Sequence, residues 1–172
     1  MPPAPVSPEP APAARRIPSL DGLRAISILV VLFGHMAGTR NFAFSFLDRL
    51  PTSELANFGV RVFFVISGFL ITRLLFEEHA RSGTVSLRGF YLRRTLRIFP
   101  AFYVFVAVVL VLDRLGKITL LPYDALTALT YTMNFHPTAS RSWQVGHLWS
   151  LSVEEQFYLL WPAIVLFTRP RG

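Results

Sequence analysis

The chain has 172 residues, 52% of them hydrophobic and 14% aromatic, with only 16% charged and a formal net charge of +7. A charged fraction this far below the roughly 25% usual in soluble domains excludes an ordinary soluble protein and points to an integral membrane protein. The basic residues fall in short segments between apolar runs, the pattern of cytoplasmic loops rather than of a nucleic-acid surface; with no Cys in the chain there is no disulfide framework, thiolate nucleophile or thiolate metal site, and no metal is expected.

The first 18 residues are dominated by Pro and Ala, which restrict the backbone and remove donors. Residues 1–19 read as a disordered tail, and residues 20–172 as one membrane domain. Arg15, Arg16 and Arg24 precede the first apolar run and predict a cytoplasmic N-terminus. That first span is expected over about Leu23 to Ala37. It carries His35 near mid-membrane, where an ionisable side chain is costly and by default faces a bundle interior as a functional candidate. Arg24 lies eleven residues earlier. At about 100° per residue the two differ by about 20° around the axis and stand roughly 16 Å apart along it. Asp21 reads as a helix cap.

The mixed-charge segment Gly38 to Asn57 predicts an external loop. A second span follows over about Phe58 to Phe76, with Ser67 and Gly68 as small residues for close helix approach. Ser67 has no evident general base in its own segment, so packing is the stronger reading. The segment Glu77 to Arg97 holds Arg81, Arg88, Arg93, Arg94 and Arg97. It is the strongest orientation signal and predicts a cytoplasmic loop. Arg93 and Arg97 share a helix face. Guanidinium forks there suit phosphate oxygens, although topology alone would also account for them.

A third span is expected over about Ile98 to Leu112, with Pro100 in its first turn and an outer loop at Asp113, Arg114 and Lys117. Between Ile118 and Phe135 the pattern is broken by Pro122, Tyr123 and Asp124. A full crossing and a re-entrant segment both fit, with the re-entrant form slightly favoured by charge. A loop with His136, Arg141, Trp143 and His147 leads to the last apolar run, about Val153 to Phe167. Ser152 and Glu155 have the spacing of a capping box, which leaves the neighbouring Glu154 as the carboxylate free for function. Trp149 and Trp161 suit interfacial anchors. The expected fold is an all-α polytopic transmembrane helix bundle with about four to five spans.

Four motifs occur in order: Leu20-Asp21-Gly22-Leu23-Arg24-Ala25 with His35 beyond it; Gly59-Val60 through Val62-Phe63-Phe64-Val65-Ile66-Ser67-Gly68-Phe69-Leu70-Ile71; Phe90-Tyr91 with Arg93-Arg94, Arg97-Ile98 and Pro100; and His147 with Trp149-Ser150-Leu151-Ser152-Val153-Glu154-Glu155-Gln156-Phe157-Tyr158-Leu159. Together they resemble the membrane-bound acyltransferase-3 family. The resemblance covers Leu20 to Pro162 and implies the N-terminal part of a domain of roughly ten spans, the rest lying in a missing C-terminal half. It implies an enzyme of the cell envelope, integral to the inner membrane. This enzyme would transfer an acyl group, most simply acetyl from acetyl-CoA, to a hydroxyl of an extracytoplasmic glycan or lipid-linked sugar. On that reading His35 and Glu154 are catalytic. His35 serves as general base or acyl acceptor, and Glu154 supports an imidazole or positions the acceptor. Arg24, Arg93, Arg94 and Arg97 bind the donor, while Ser67, His147 and Trp149 support the acceptor side. Acyl-CoA is then a co-substrate, and no bound cofactor is expected. The rival class is a non-enzymatic pore, transporter or assembly subunit that uses His35 and Glu154 as a proton relay.

Overall fold

The computed structural model describes residues 17–37 and 51–168. The tail up to residue 16, the expected loop residues Arg40, Asp48 and Arg49, and the terminal Arg169 and Arg171 lie outside the described residues. The helices are α1 (Pro18–Ala37), α2 (Thr52–Ser82), α3 (Leu87–Arg114), α4 (Asp124–Leu129), α5 (Trp143–Gly146) and α6 (Leu148–Phe167). Two 3₁₀ turns, Met133–Phe135 and Thr138–Ser140, lie between α4 and α5. No described residue is in a strand, so the architecture is all-α.

Three helices, α1, α2 and α3, are long and apolar enough to cross a membrane. Only 11% of the apolar stretch of α1 and 17% of that of α3 is buried. Ile26, Leu29 and Leu32 on α1 and Val104, Val108 and Val111 on α3 are exposed. Apolar faces this extensive suit lipid, not water. The fourth long helix, α6, matches α1 at 20 residues, but Glu154, Glu155 and Gln156 keep it from the same apolar class.

Each long helix outruns its hydropathy pattern. Pro18 starts α1, two residues inside the expected tail, because a missing N–H costs nothing at the first helical position. The Ile17 carbonyl accepts from the N–H groups of Leu20 and Asp21. Asp21 therefore lies within the first turn and complements the helix dipole there, rather than acting as the cap. The expected loop from Glu77 to Arg97 shrinks to residues 83–86. Its charged residues ride on the ends of α2 and α3, since Arg and Glu are good helix formers. Gly83, at φ 72°, closes α2. Ser86 opens α3: its Oγ accepts from Gly89 N at 3.2 Å, and its own N–H donates to the Glu78 carboxylate at 3.0 Å. Thr52 to Asn57, expected as loop, form the first turns of α2.

Asp113 and Arg114 form the last turn of α3, not a loop. The Lys117 N–H reaches Leu112 O at 2.9 Å and the Gly116 N–H reaches Asp113 O at 3.0 Å, with Gly116 at φ 65°. This Schellman closure needs the left-handed backbone that glycine adopts without strain. Beyond it, α4 has six residues, about 9 Å of rise. A full helical crossing by Ile118 to Phe135 is thereby excluded.

The chain forms two compact units, residues 1–77 and 78–172, with the boundary inside α2. In the first, α1 and α2 run antiparallel at close range. A Cβ on Gly34 would stand 2.6 Å from Ala56 Cβ and 2.8 Å from Thr52 O. One on Gly59 would stand 2.9 Å from Ser27 O. All three distances are too short for any side chain, so these glycines set the helix separation. The Ser67–Gly68 pair had been expected in that role.

In the second unit, Phe102, Val106 and Val109 form one stripe of α3 and pack on Ala128, Met133, Val145 and Leu148. Buried polar groups fix the irregular segment above this core. The Asp124 carboxylate is fully buried and accepts from Leu121 N at 2.9 Å and Ser142 N at 3.0 Å. Arg141 Nε donates to His136 O at 2.7 Å. Gln156 and Asn134 exchange two amide hydrogen bonds of 3.0 and 3.1 Å, and Gln156 Nε2 also donates to Tyr131 O at 2.9 Å. These bonds tie the 3₁₀ turn at Met133–Phe135 to α6.

Candidate active site

In the first unit the Arg24 guanidinium lies 4.9 Å from the centre of the Phe63 ring, a cation–π contact between α1 and α2. Arg24 is half-buried. His35 is in the last turn of α1 and its side chain is exposed. It thus stands near one end of the helix, not near its middle as hydropathy predicts. Its neighbour Gly34 faces α2, which places the imidazole to the side of the helix contact. Ser67 is 3% exposed, and its Oγ has no hydrogen-bond partner among the described residues. A buried hydroxyl without a base is a packing residue rather than an activated nucleophile.

In the second unit the arginines separate. Arg93 and Arg97 are exposed on one face of α3, as their spacing predicts. Arg94 turns inward, and its guanidinium lies 3.2 Å from the centre of the Tyr158 ring and 5.8 Å from that of Phe90. The Tyr158 hydroxyl donates to the Glu154 carboxylate one helical turn earlier. Tyr91 on α3 donates to Leu159 O on α6 at 2.8 Å. Glu155 lies within electrostatic reach of Arg94, and its Oε1 is buried without a hydrogen-bond partner.

The capping-box expectation fails. Helix α6 begins at Leu148, so Ser152 is inside it and donates to Leu148 O at 3.0 Å. Glu155 is therefore not held at a helix start, and the ground for preferring Glu154 over Glu155 disappears. His147 joins α5 to α6; its exposed ring meets Phe105 edge-on at 5.6 Å. Trp149 packs against the core of this unit.

Tyr131 went unnoticed in the sequence. It holds a left-handed backbone at φ 53° and stacks on Phe102 at 4.1 Å and Phe99 at 5.5 Å. Burial, and then the charge of Glu155, hold its phenol above the usual tyrosine pKa. Its hydroxyl is buried and unpartnered. No local pattern marks it, because its neighbours come from α3 and α6. Tyr158 was legible, as it sits four residues after Glu154. The second unit therefore assembles Arg94, Glu154, Glu155, Tyr158 and Tyr131, whereas Arg24, His35 and Ser67 belong to the first.

Long helices with apolar, lipid-suited faces define an all-α membrane protein. The sequence profile of the acyltransferase-3 family, an acyltransferase domain, matches residues 17–172, and the chain belongs to that family. It is 33% identical over 162 residues to the peptidoglycan O-acetyltransferase OatA of Listeria monocytogenes, covering 87% of this chain and 24% of that protein. It is 36% identical over 166 residues to the O-acetyltransferase OatA of Staphylococcus aureus, covering 89% and 25%. The chain thus spans about a quarter of the length of these curated relatives. No solved structure matches it significantly.

Proposed function

We propose that the protein to which this chain belongs is a membrane O-acyltransferase. It moves an acetyl group from cytoplasmic acetyl-CoA to a hydroxyl of an extracytoplasmic glycan or lipid-linked sugar. The observation that carries the reading is the family match across residues 17–172, with relatives named as O-acetyltransferases. The residues support it chemically. Arg93 and Arg97 present exposed guanidiniums to the donor's phosphates. His35 takes the proton of the acceptor hydroxyl as its oxygen attacks the thioester carbonyl; the C–S bond breaks and the thiolate leaves. In the covalent variant the imidazole first carries the acyl group itself. Glu154, fixed by Tyr158, positions the acceptor. Arg94 braces α3 against α6 through Tyr158.

The same reading places the protein in the inner membrane with its N-terminus in the cytoplasm. Arginine excess at the α2–α3 link supports that orientation. Single cysteines at Ser53 and Ser82, both exposed, are expected to react from opposite sides with an impermeant thiol reagent in intact cells. Labelling of position 82 from outside would overturn the orientation and the donor site together. Function is tested with the full-length protein in proteoliposomes. Labelled acetyl-CoA is supplied on the arginine side and a soluble glycan on the other. Labelled glycan is the expected product, and donor consumption with no label on any glycan would exclude the proposed acceptor class.

A further inference from the structure

A second polar centre lies in the irregular segment between α3 and α6. A cavity of about 650 Å³ opens there, lined among others by Leu121, Pro122, Tyr123, Phe135, His136 and Ser140. Two aromatic rings flank it with little packing of their own: Tyr123 is 72% exposed and Phe135 75%. His136 contrasts with them, at 5% exposure. Its Nε2 lies 3.1 Å from Pro122 O and 3.5 Å from the buried Asp124 Oδ1. A carbonyl only accepts, so Nε2 carries the proton. In the neutral ring Nδ1 is then a bare acceptor, and it is buried without a hydrogen-bond partner.

The backbone at Tyr123 is a second, independent observation. Asp124 N donates to Leu121 O at 3.2 Å, which closes a turn with Pro122 in second and Tyr123 in third position. Tyr123 has φ 71° and ψ −10°, the geometry of the third residue of a type II turn. That position favours glycine, and a tyrosine there is strained. Core packing does not account for the tyrosine, because its ring is exposed. Strain of this kind collects at ligand clamps.

An aromatic wall beside unfilled acceptors, His136 Nδ1 and Asp124 Oδ1, suits a ligand with one apolar face and hydroxyl donors at its edge. A sugar ring has that chemistry: its C–H face packs on an aromatic ring while an equatorial hydroxyl donates. We propose that this cavity is a binding subsite for one sugar ring of the acceptor glycan. The ring stacks on Tyr123 or Phe135 and donates a hydroxyl to His136 Nδ1. The subsite rests on the glycan-acceptor reading above. Pro122 O holds the imidazole in this tautomer, and the buried Asp124 carboxylate lies 3.5 Å from the same nitrogen.

The test uses the full-length protein and a soluble β-1,4-linked N-acetylglucosamine tetramer as probe, with binding measured by calorimetry. Tyr123→Gly removes the ring and relaxes the turn, so its thermal transition should equal or exceed that of the wild type. Its affinity for the tetramer is expected to fall roughly tenfold, the scale of one lost aromatic contact. Phe135→Ala, at an exposed site, should weaken binding in the same direction. Wild-type affinity in both folded variants overturns the subsite. So does quenching of the tryptophan in Phe135→Trp by brominated lipid but not by the tetramer, because the ring would then be a membrane anchor. The two readings separate cleanly. Acetyl transfer to glycan with acceptor KM unchanged in both variants overturns the subsite and leaves the proposed function standing. Tetramer binding lost in both variants of a protein that transfers no acyl group supports the subsite and removes the proposed function.

Discussion

The two units hold themselves together by opposite means. In the first, α1 and α2 approach where side chains are absent, at Gly34 and Gly59. In the second, an irregular segment is held by polar side chains that share hydrogen bonds: Asp124 with Leu121 and Ser142, Gln156 with Asn134 and Tyr131. A steric contact is spoiled by addition, and a hydrogen-bonded network is spoiled by deletion. The units should therefore answer to different classes of substitution, with chemistry at His35 separable from both.

The largest effect is expected where chemistry and packing part company. His35→Gln in the full-length enzyme should lower transfer by roughly 10²–10⁴-fold, the usual contribution of a general base. Pairing of α1 with α2 should persist, since the imidazole is exposed beside the contact. Near-normal turnover would make His35 structural. A denaturant-stable acyl adduct on the wild type, absent from the Gln variant, would select the covalent route.

Asp124→Ala tests the polar unit by deletion. It leaves the buried Ser142 N without its acceptor, while Leu121 N keeps Ser142 Oγ at 2.9 Å, so the loss should be about 2 kcal/mol. A detergent-phase melting curve reads the loss, and Asp124→Asn should recover part of it. Gly59→Val tests the steric unit by addition. With Ser27 O 2.9 Å from the new Cβ, the helices must separate, at about 1–3 kcal/mol. Disulfide trapping between cysteines placed on α1 and α2 should slow accordingly. If the valine is accepted without change, close approach does not hold this unit.

Smallest is the effect of the exposed arginines. Arg93→Ala with Arg97→Ala should raise the donor KM about tenfold while insertion is unchanged, because neither side chain supports the fold. Lys at both positions should rescue only in part, since it lacks the fork. An unchanged donor KM would reduce the pair to an orientation signal.

What could be read from the sequence was whatever is written locally. The long apolar helices, the paired face of Arg93 and Arg97, and the four motifs all depend on near neighbours. Helix ends were misplaced because hydropathy stops at charge while the backbone does not, as Arg81 on α2 and Arg88 on α3 illustrate. The capping box around Ser152 misled for a related reason. Leu148 is in the core of the second unit, and helix α6 starts there, five residues before the local pattern suggests. Ten glycines occur in the chain, and nothing local says which of them meets a neighbouring backbone. Tyr131 and the Asp124–His136 pair were hidden most deeply, because their partners come from distant elements.

At 31 residues, α2 is about 46 Å long, whereas the hydrocarbon layer of a bilayer is about 30 Å thick. Roughly ten residues must stand clear of that layer or be taken up by tilt. The apolar run ends at Phe76, and Glu77, Glu78, His79 and Arg81 follow on the same unbroken helix. By length, the charged C-terminal end of α2 therefore falls outside the hydrocarbon layer, at the level of the lipid headgroups. Any anionic ligand drawn to the arginines that follow meets them in competition with the phosphates of the bilayer itself, so its apparent affinity should track the anionic lipid content of the membrane.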